Sequence, residues 1–189
     1  MPERGLPPED TAGVAPAEAV PSAEHLSPSE AAHFRRVLGR FPTGVVIVTT
    51  EHDGERHGMS CNSFTSVSLD PPLVAFCPAR SSSTWPRIRP AGHVAISILG
   101  REHEEISRRF AAKGVDRFAG VEAWNAPSGS PVLKEAIGWL DCSLEAEYDG
   151  GDHTIVVARV EALGLREGDA LVFMGGAYGR FDRAESPAR

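Results

Sequence analysis

Hydroxyl and amide side chains are bunched in this chain of 189 residues. Between Gly58 and Pro72 stand Ser60, Asn62, Ser63, Thr65, Ser66 and Ser68, each with a hydrogen-bonding group close to the backbone. An extended chain alternates its faces. Ser60, Asn62, Phe64, Ser66 and Ser68 then share one side, and Met59, Cys61, Ser63, Thr65, Val67 and Leu69 share the other. The second side turns apolar toward its end, as a strand entering a core does. The hydroxyl-rich part suits a flat ligand with polar edges and many acceptors. An ordinary edge strand with serine decoration uses the same residues. A second cluster, Ser81, Ser82, Ser83 and Thr84, precedes Trp85-Pro86-Arg87-Ile88. Ser83 or Thr84 can cap a short helix there. The free N–H groups of its first turn, with the serines and Arg87 assisting, form a candidate phosphate site. A plain capped turn is the other reading. Gly150-Gly151-Asp152-His153 joins two strand-like runs, and taken alone it is a turn with a solvated histidine.

Other chemistries are excluded by what is missing. His103-Glu104-Glu105-Ile106-Ser107 has the start of a zinc-protease helix, but Ser107 stands where the second histidine is needed. The remaining histidines, His25, His33, His52, His57, His93 and His103, form no ligand cluster, so no metal is expected. No GxGxxG follows a first strand and no GxSxG elbow is present. The three cysteines, Cys61, Cys77 and Cys142, include no CxxC pair, which leaves neither a disulfide framework nor a zinc knuckle and points to the reducing cytoplasm. Cys77 and Cys142 sit in apolar runs and are expected to be buried. The 19 basic against 26 acidic residues give a net charge of -7, with no basic run to neutralise phosphates, so nucleic acid is not the expected partner. No apolar run approaches the ~20 residues of a membrane helix, and the acidic, Pro-rich N-terminus does not have the pattern of a secretory signal.

The elements that position these residues follow in order. Residues 1–26 are rich in Pro, Ala and Glu without apolar periodicity, and a disordered tail is expected there, with a flexible C-terminal tail over 183–189. Ser27-Pro28-Ser29-Glu30 has the form of a capping box. It predicts a helix that ends near Gly39 and docks through Phe34 and Leu38. Val45–Thr50, the hydroxyl-rich stretch itself, Leu73–Cys77, His93–Leu99, Trp139–Tyr148, Thr154–Leu165 and a last hairpin turning at Gly175-Gly176 are the expected strands. Glu102–Lys113 predicts a helix with Ile106, Phe110 and Ala111 on one face, and Asp116–Pro131 a loop broken by Gly and Pro. Strands in succession, without βαβ alternation, predict a mainly β domain over 27–182: an antiparallel barrel of about six strands with a few packed helices.

Three segments in this order, Phe41-Pro-Thr-Gly-Val-Val-Ile-Val-Thr-Thr50, Asn62-Ser-Phe-Thr-Ser-Val-Ser-Leu-Asp-Pro-Pro-Leu-Val74 and Gly151-Asp-His153, resemble the flavin reductase family, the small reductases of two-component flavin monooxygenases. The resemblance spans roughly Phe34 to Phe181. It implies a six-stranded FMN-binding split barrel of Greek-key type and a homodimer with flavin between the subunits. It implies a flavin cofactor, FMN or FAD, reduced by NADH or NADPH, with hydride passing from nicotinamide C4 to flavin N5. A separate flavin-dependent oxygenase would receive the reduced flavin. By the same resemblance Ser60, Cys61, Asn62, Ser63, Phe64 and Thr65 line the flavin ring, and Ser81, Ser82, Ser83 and Thr84 hold its phosphate. His153 meets the nicotinamide, and Asp152 orients it. The family often has Thr-Ala where this chain has Ser60-Cys61; serine keeps the hydroxyl.

Overall fold

The computed structural model describes residues 24–182; most of the 1–26 segment and all of 183–189 lie outside them. Among the described residues the division between two units falls between Arg35 and Arg36. Helix α1 (Ala31–Leu38) starts a turn later than the capping box predicts. The Ser27 hydroxyl is spent on the Ser29 hydroxyl at 2.7 Å, and the Glu30 N–H donates to the Ser27 carbonyl instead. The helix buries none of its side chains: Phe34 and Leu38, expected to dock it, are 54% and 52% exposed.

The strands come in chain order as β1 (Thr43–Gly44), β2 (Val46–His52), β3 (Glu55–Cys61), β4 (Thr65–Leu69) and β5 (Pro72–Phe76). Helix α2 (Trp85–Ile88), a single 3-10 turn (Arg89–Ala91), β6 (His93–Ile98) and helix α3 (Glu104–Ala111) follow. The chain then forms β7 (Ala123–Asn125), β8 (Pro131–Leu133), β9 (Gly138–Gly150), β10 (His153–Leu165), β11 (Leu171–Met174) and β12 (Ala177–Arg180). Tight turns occur where the sequence places small residues. Asp53 and Gly54 both take positive φ between β2 and β3, and Gly175 and Gly176 do so between β11 and β12, the geometry that two-residue hairpins require. The expected loop over 116–131 holds β7 and the turn of a short hairpin whose second strand, β8, begins at its end.

Seven strands form one antiparallel sheet in the order β3-β2-β6-β9-β10-β5-β4. The hydroxyl-rich stretch is therefore two strands, not one, and they are the opposite edges of the sheet. Six strand spacings laid flat would separate those edges by about 29 Å. Only residues 62–64 join Cys61 to Thr65, and four peptide steps reach about 14 Å at most. The sheet must curl until its edges nearly meet, and register shifts between Val157 and Ala158 and between Val160 and Ala162 help bend its longest ladder. The edges do not pair with each other, so the curl stays open there.

Curling gives β2 two buried faces. Val46 and Val48 join the inner cluster with Phe76, Trp85, Ile88, Ile96 and Val156. Ile47 and the preceding Val45 face an outer cluster with Leu99, Phe110, Leu133 and Leu171. Helix α3 lies on that outer side. It buries Phe110 and Ser107 but leaves Ala111 exposed. Phe110 sits directly on β3: a Cβ built on Gly58 would lie 2.6 Å from its ring, so only glycine permits this approach. Cys61 is 7% exposed and belongs to the inner cluster. Cys142 is buried as expected, whereas Cys77, at the end of its strand, is only partly so.

Candidate active site

A groove of about 320 Å³ opens where the curled edges approach. Ser60, Cys61, Asn62 and Ser63 form one wall, Cys77–Ala79 and Ser82–Thr84 another, and Phe110, Ala111, Lys113 and Arg117 reach over from α3 and the segment after it. His153 stands at its end.

Each wall is braced locally. The Ser63 hydroxyl accepts the Cys77 N–H at 2.8 Å and lies 3.3 Å from the Cys77 carbonyl, which ties the link between the two edge strands to the end of β5. Ser60 Oγ lies 2.9 Å from Ser107 Oγ, and Ser107 Oγ lies 2.8 Å from Tyr178 Oη, a chain of hydroxyls running inward from the groove. The turn between β9 and β10 has Gly151 at φ +76°, and the Gly151 N–H donates to Asp149 Oδ1. That turn holds the serine loop: the Arg80 N–H donates to the Asp152 carbonyl at 2.9 Å, and the Thr154 N–H to the Pro78 carbonyl at 3.0 Å. Asp152 Oδ1 lies 2.7 Å from His153 Nδ1. A carboxylate only accepts, so the proton sits on Nδ1 and Nε2 is left for a ligand. Thr84 is the N-cap residue of α2, one of the two expected, but its side chain makes no capping bond; the Ser82 hydroxyl accepts the N–H groups of Thr84 and Trp85 instead.

Arg117 escaped the sequence reading. Its guanidinium donates to the Gly58 carbonyl at 2.6 Å, the Thr84 hydroxyl at 2.7 Å and the Ala112 carbonyl at 2.6 Å. One side chain thus joins β3, the entry to α2 and the end of α3. The only signal in the sequence is an arginine in a short segment between Gly114 and Gly120. Burial lowers its pKa from the usual arginine value, yet so basic a group stays charged at neutral pH. Four expected residues do not line the groove. Phe64 packs against the inner cluster, Thr65 and Ser81 are exposed, and Asp152 is exposed behind His153. Arg87 lines a neighbouring cavity rather than the groove.

The charge on these walls is one-sided. Lys113 and Arg117 are cations, and no carboxylate lines the groove. Burial pushes the Cys77 thiol up from its ordinary value, with Cys61 beside it adding to the rise and a hydrogen bond from Ser63 opposing it. This thiol is not a nucleophile at neutral pH. Hydroxyls, an amide and cations therefore face a space suited to an anionic ligand with polar edges. Among the described residues no three His, Cys, Asp or Glu side chains group as metal ligands, and no helix is long and apolar enough to cross a membrane.

Residues 38–182 match the family model of the flavin reductase like domain. The chain belongs to this family. It is 42% identical over 158 residues to the reductase subunit of a flavin-dependent monooxygenase from Rhodococcus jostii, covering 83% of this chain and 80% of that one. It is 43% identical over 150 residues to an FMN reductase (NADH) from Agrobacterium fabrum, covering 79% and 86%. The solved Streptomyces globisporus NADH:FAD oxidoreductase, in complex with NAD and FAD fragments, superposes with a TM-score of 0.81 at 38% identity, covering 87% of this chain and 100% of that one. In this flavin reductase family member the groove combines residues of the two serine-rich segments with His153 of the Gly-Asp-His turn.

Proposed function

We propose that this chain is an NAD(P)H-dependent flavin reductase that passes reduced FMN or FAD to a separate flavin-dependent oxygenase. The observation that carries the reading is the groove itself. It gathers Ser60–Ser63, Ser82–Thr84 and His153 around Lys113 and Arg117, with no carboxylate on its walls. The bound flavin supplies the chemistry, accepting hydride at N5 from nicotinamide C4. The chain supplies position. Asn62 meets the polar edge of the ring, while the committed hydroxyl of Ser63 keeps the wall in place. Ser83, with Lys113 and Arg117, neutralises the phosphate. His153 presents Nε2 to the nicotinamide, and Asp152 fixes the imidazole through Nδ1. Cys61 is part of the wall and of the inner cluster behind it, and takes no part in proton or hydride movement.

The finer architecture belongs to the same proposal. The curled seven-stranded sheet serves as the split barrel of the family, the reductase domain runs over 27–182, and the enzyme works in the cytoplasm as a homodimer. Exposed apolar side chains on β9 and β10, Tyr148, Leu163 and Leu165 among them, offer a face that a second copy would cover.

Mixing the protein with NADH and a catalytic amount of FMN or FAD in air tests the activity. Sustained loss of NADH absorbance is expected; a protein that binds flavin without oxidising NADH would overturn the reading. Stopped-flow reduction then tests the site. His153→Ala is expected to slow hydride transfer by up to about a hundredfold through misplacement of the reacting atoms, with flavin affinity near that of the parent protein.

A further inference from the structure

A larger cavity of about 670 Å³ lies beyond the groove. Ser83, Thr84 and Arg117 line both spaces, so the two share a wall. The outer cavity carries the guanidinium groups of Arg56, Arg87 and Arg117, with Glu55 and Asp116 the acidic groups on its walls. Most of these groups are committed. Arg56 pairs with Glu51 at 3.3 Å, Asp116 Oδ1 accepts the Phe118 N–H, and Arg117 binds the Gly58 and Ala112 carbonyls. Arg87 is different: it is exposed, and among the described residues its guanidinium has no hydrogen bond or ion pair.

We infer that the outer cavity receives the adenosine monophosphate half of FAD and makes this enzyme select FAD over FMN. The inference rests on the flavin reading of the groove. A flavin whose ring lies against Asn62 and whose phosphate lies against Ser83 meets the shared wall next. FMN ends at that phosphate. FAD continues with a second phosphate, a ribose and an adenine, and the space continues with it. An uncommitted guanidinium, Arg87, is what a second phosphate needs. Val115, 49% exposed, and Phe118, half-buried and packed edge-on against Phe110, give a purine apolar surface. The volume falls within the ~300–1,000 Å³ of small-molecule sites.

Calorimetric titration of the full chain with FAD and with FMN tests this. FAD is expected to bind at least about tenfold tighter, the worth of one good charge-assisted contact. Val115→Trp fills the outer cavity without reaching the groove. It should remove the FAD advantage and leave FMN affinity within about twofold. Arg87→Glu should weaken FAD more than FMN, and Arg87→Lys should retain most of the preference. Equal affinities for the two flavins in the parent protein would overturn the inference, as would variants that weaken both alike, while leaving the flavin site intact. Failure to bind either flavin would instead overturn the flavin reading, and this inference with it.

Discussion

Two segments meet over the groove and spend their polar atoms in opposite ways. Ser60–Thr65 holds three hydroxyls, and all are already committed: Ser60 to Ser107, Ser63 to the Cys77 backbone, Thr65 to the Ser66 carbonyl. Asn62 is the polar side chain in that segment with no internal partner among the described residues. Ala112–Phe118 has no serine or threonine, yet Arg117 alone makes four hydrogen bonds across three elements. A dense run of hydroxyls thus measures how firmly a wall is braced. The groups left for a ligand are the few that the bracing isolates.

The largest test of that contrast is Arg117→Met, which keeps the apolar stem and removes every bond. Two carbonyls and a hydroxyl lose a charged donor, and the expected loss is about 3 kcal/mol in urea unfolding. A loss under about 0.5 kcal/mol would mean that the segment is not a brace. Next come two adjacent changes with opposite signatures. Asn62→Leu should cost about 1–2 kcal/mol of flavin affinity and almost no stability. Ser63→Ala should do the reverse, costing about 1 kcal/mol of stability by stranding the Cys77 N–H. If both variants lose only stability, Asn62 is a brace as well.

The smallest effect, nil at neutral pH, separates the core from both segments. Burial, then the charges of Asp141 and Glu161, push the Cys142 thiol from 9.0 up to about 12. The folded chain favours the neutral thiol. Its contribution is therefore fully present below pH 9.0 and is lost as pH climbs toward about 12. Cys142→Ala should flatten that part of the stability curve and leave flavin affinity unchanged. An equally steep decline in the variant would place the alkaline loss elsewhere.

Much of the candidate site was legible because it rests on short-range chemistry. Ser60–Ser63, Ser82–Thr84 and His153, singled out through residue type, turn position and family pattern, line one groove. Phe64 lies off the groove because the strand alternation stops at Cys61: the chain turns there, and the ring packs against the core. Thr84 is the N-cap of α2 as expected, but that the Ser82 hydroxyl takes the first N–H groups was not legible, because serines in a row are equivalent in sequence and distinct only once the turn is built.

The turns at Asp53-Gly54, Gly151-Asp152 and Gly175-Gly176, the strand runs and the position of α3 were determined by the sequence itself. Positive φ, alternation and helical spacing act between residues a few places apart. The order of strands in the sheet was decided only in three dimensions. β3 and β4, neighbours in sequence, became opposite edges because β2 and β5 were claimed by different partners, β6 and β10. Arg117 acquired its role in the same way. Its acceptors on Gly58 and Thr84 are 59 and 33 residues away in the chain. They are backbone and hydroxyl oxygens of a kind found everywhere, so only the curled sheet and the docking of α3 on Gly58 bring them within its reach.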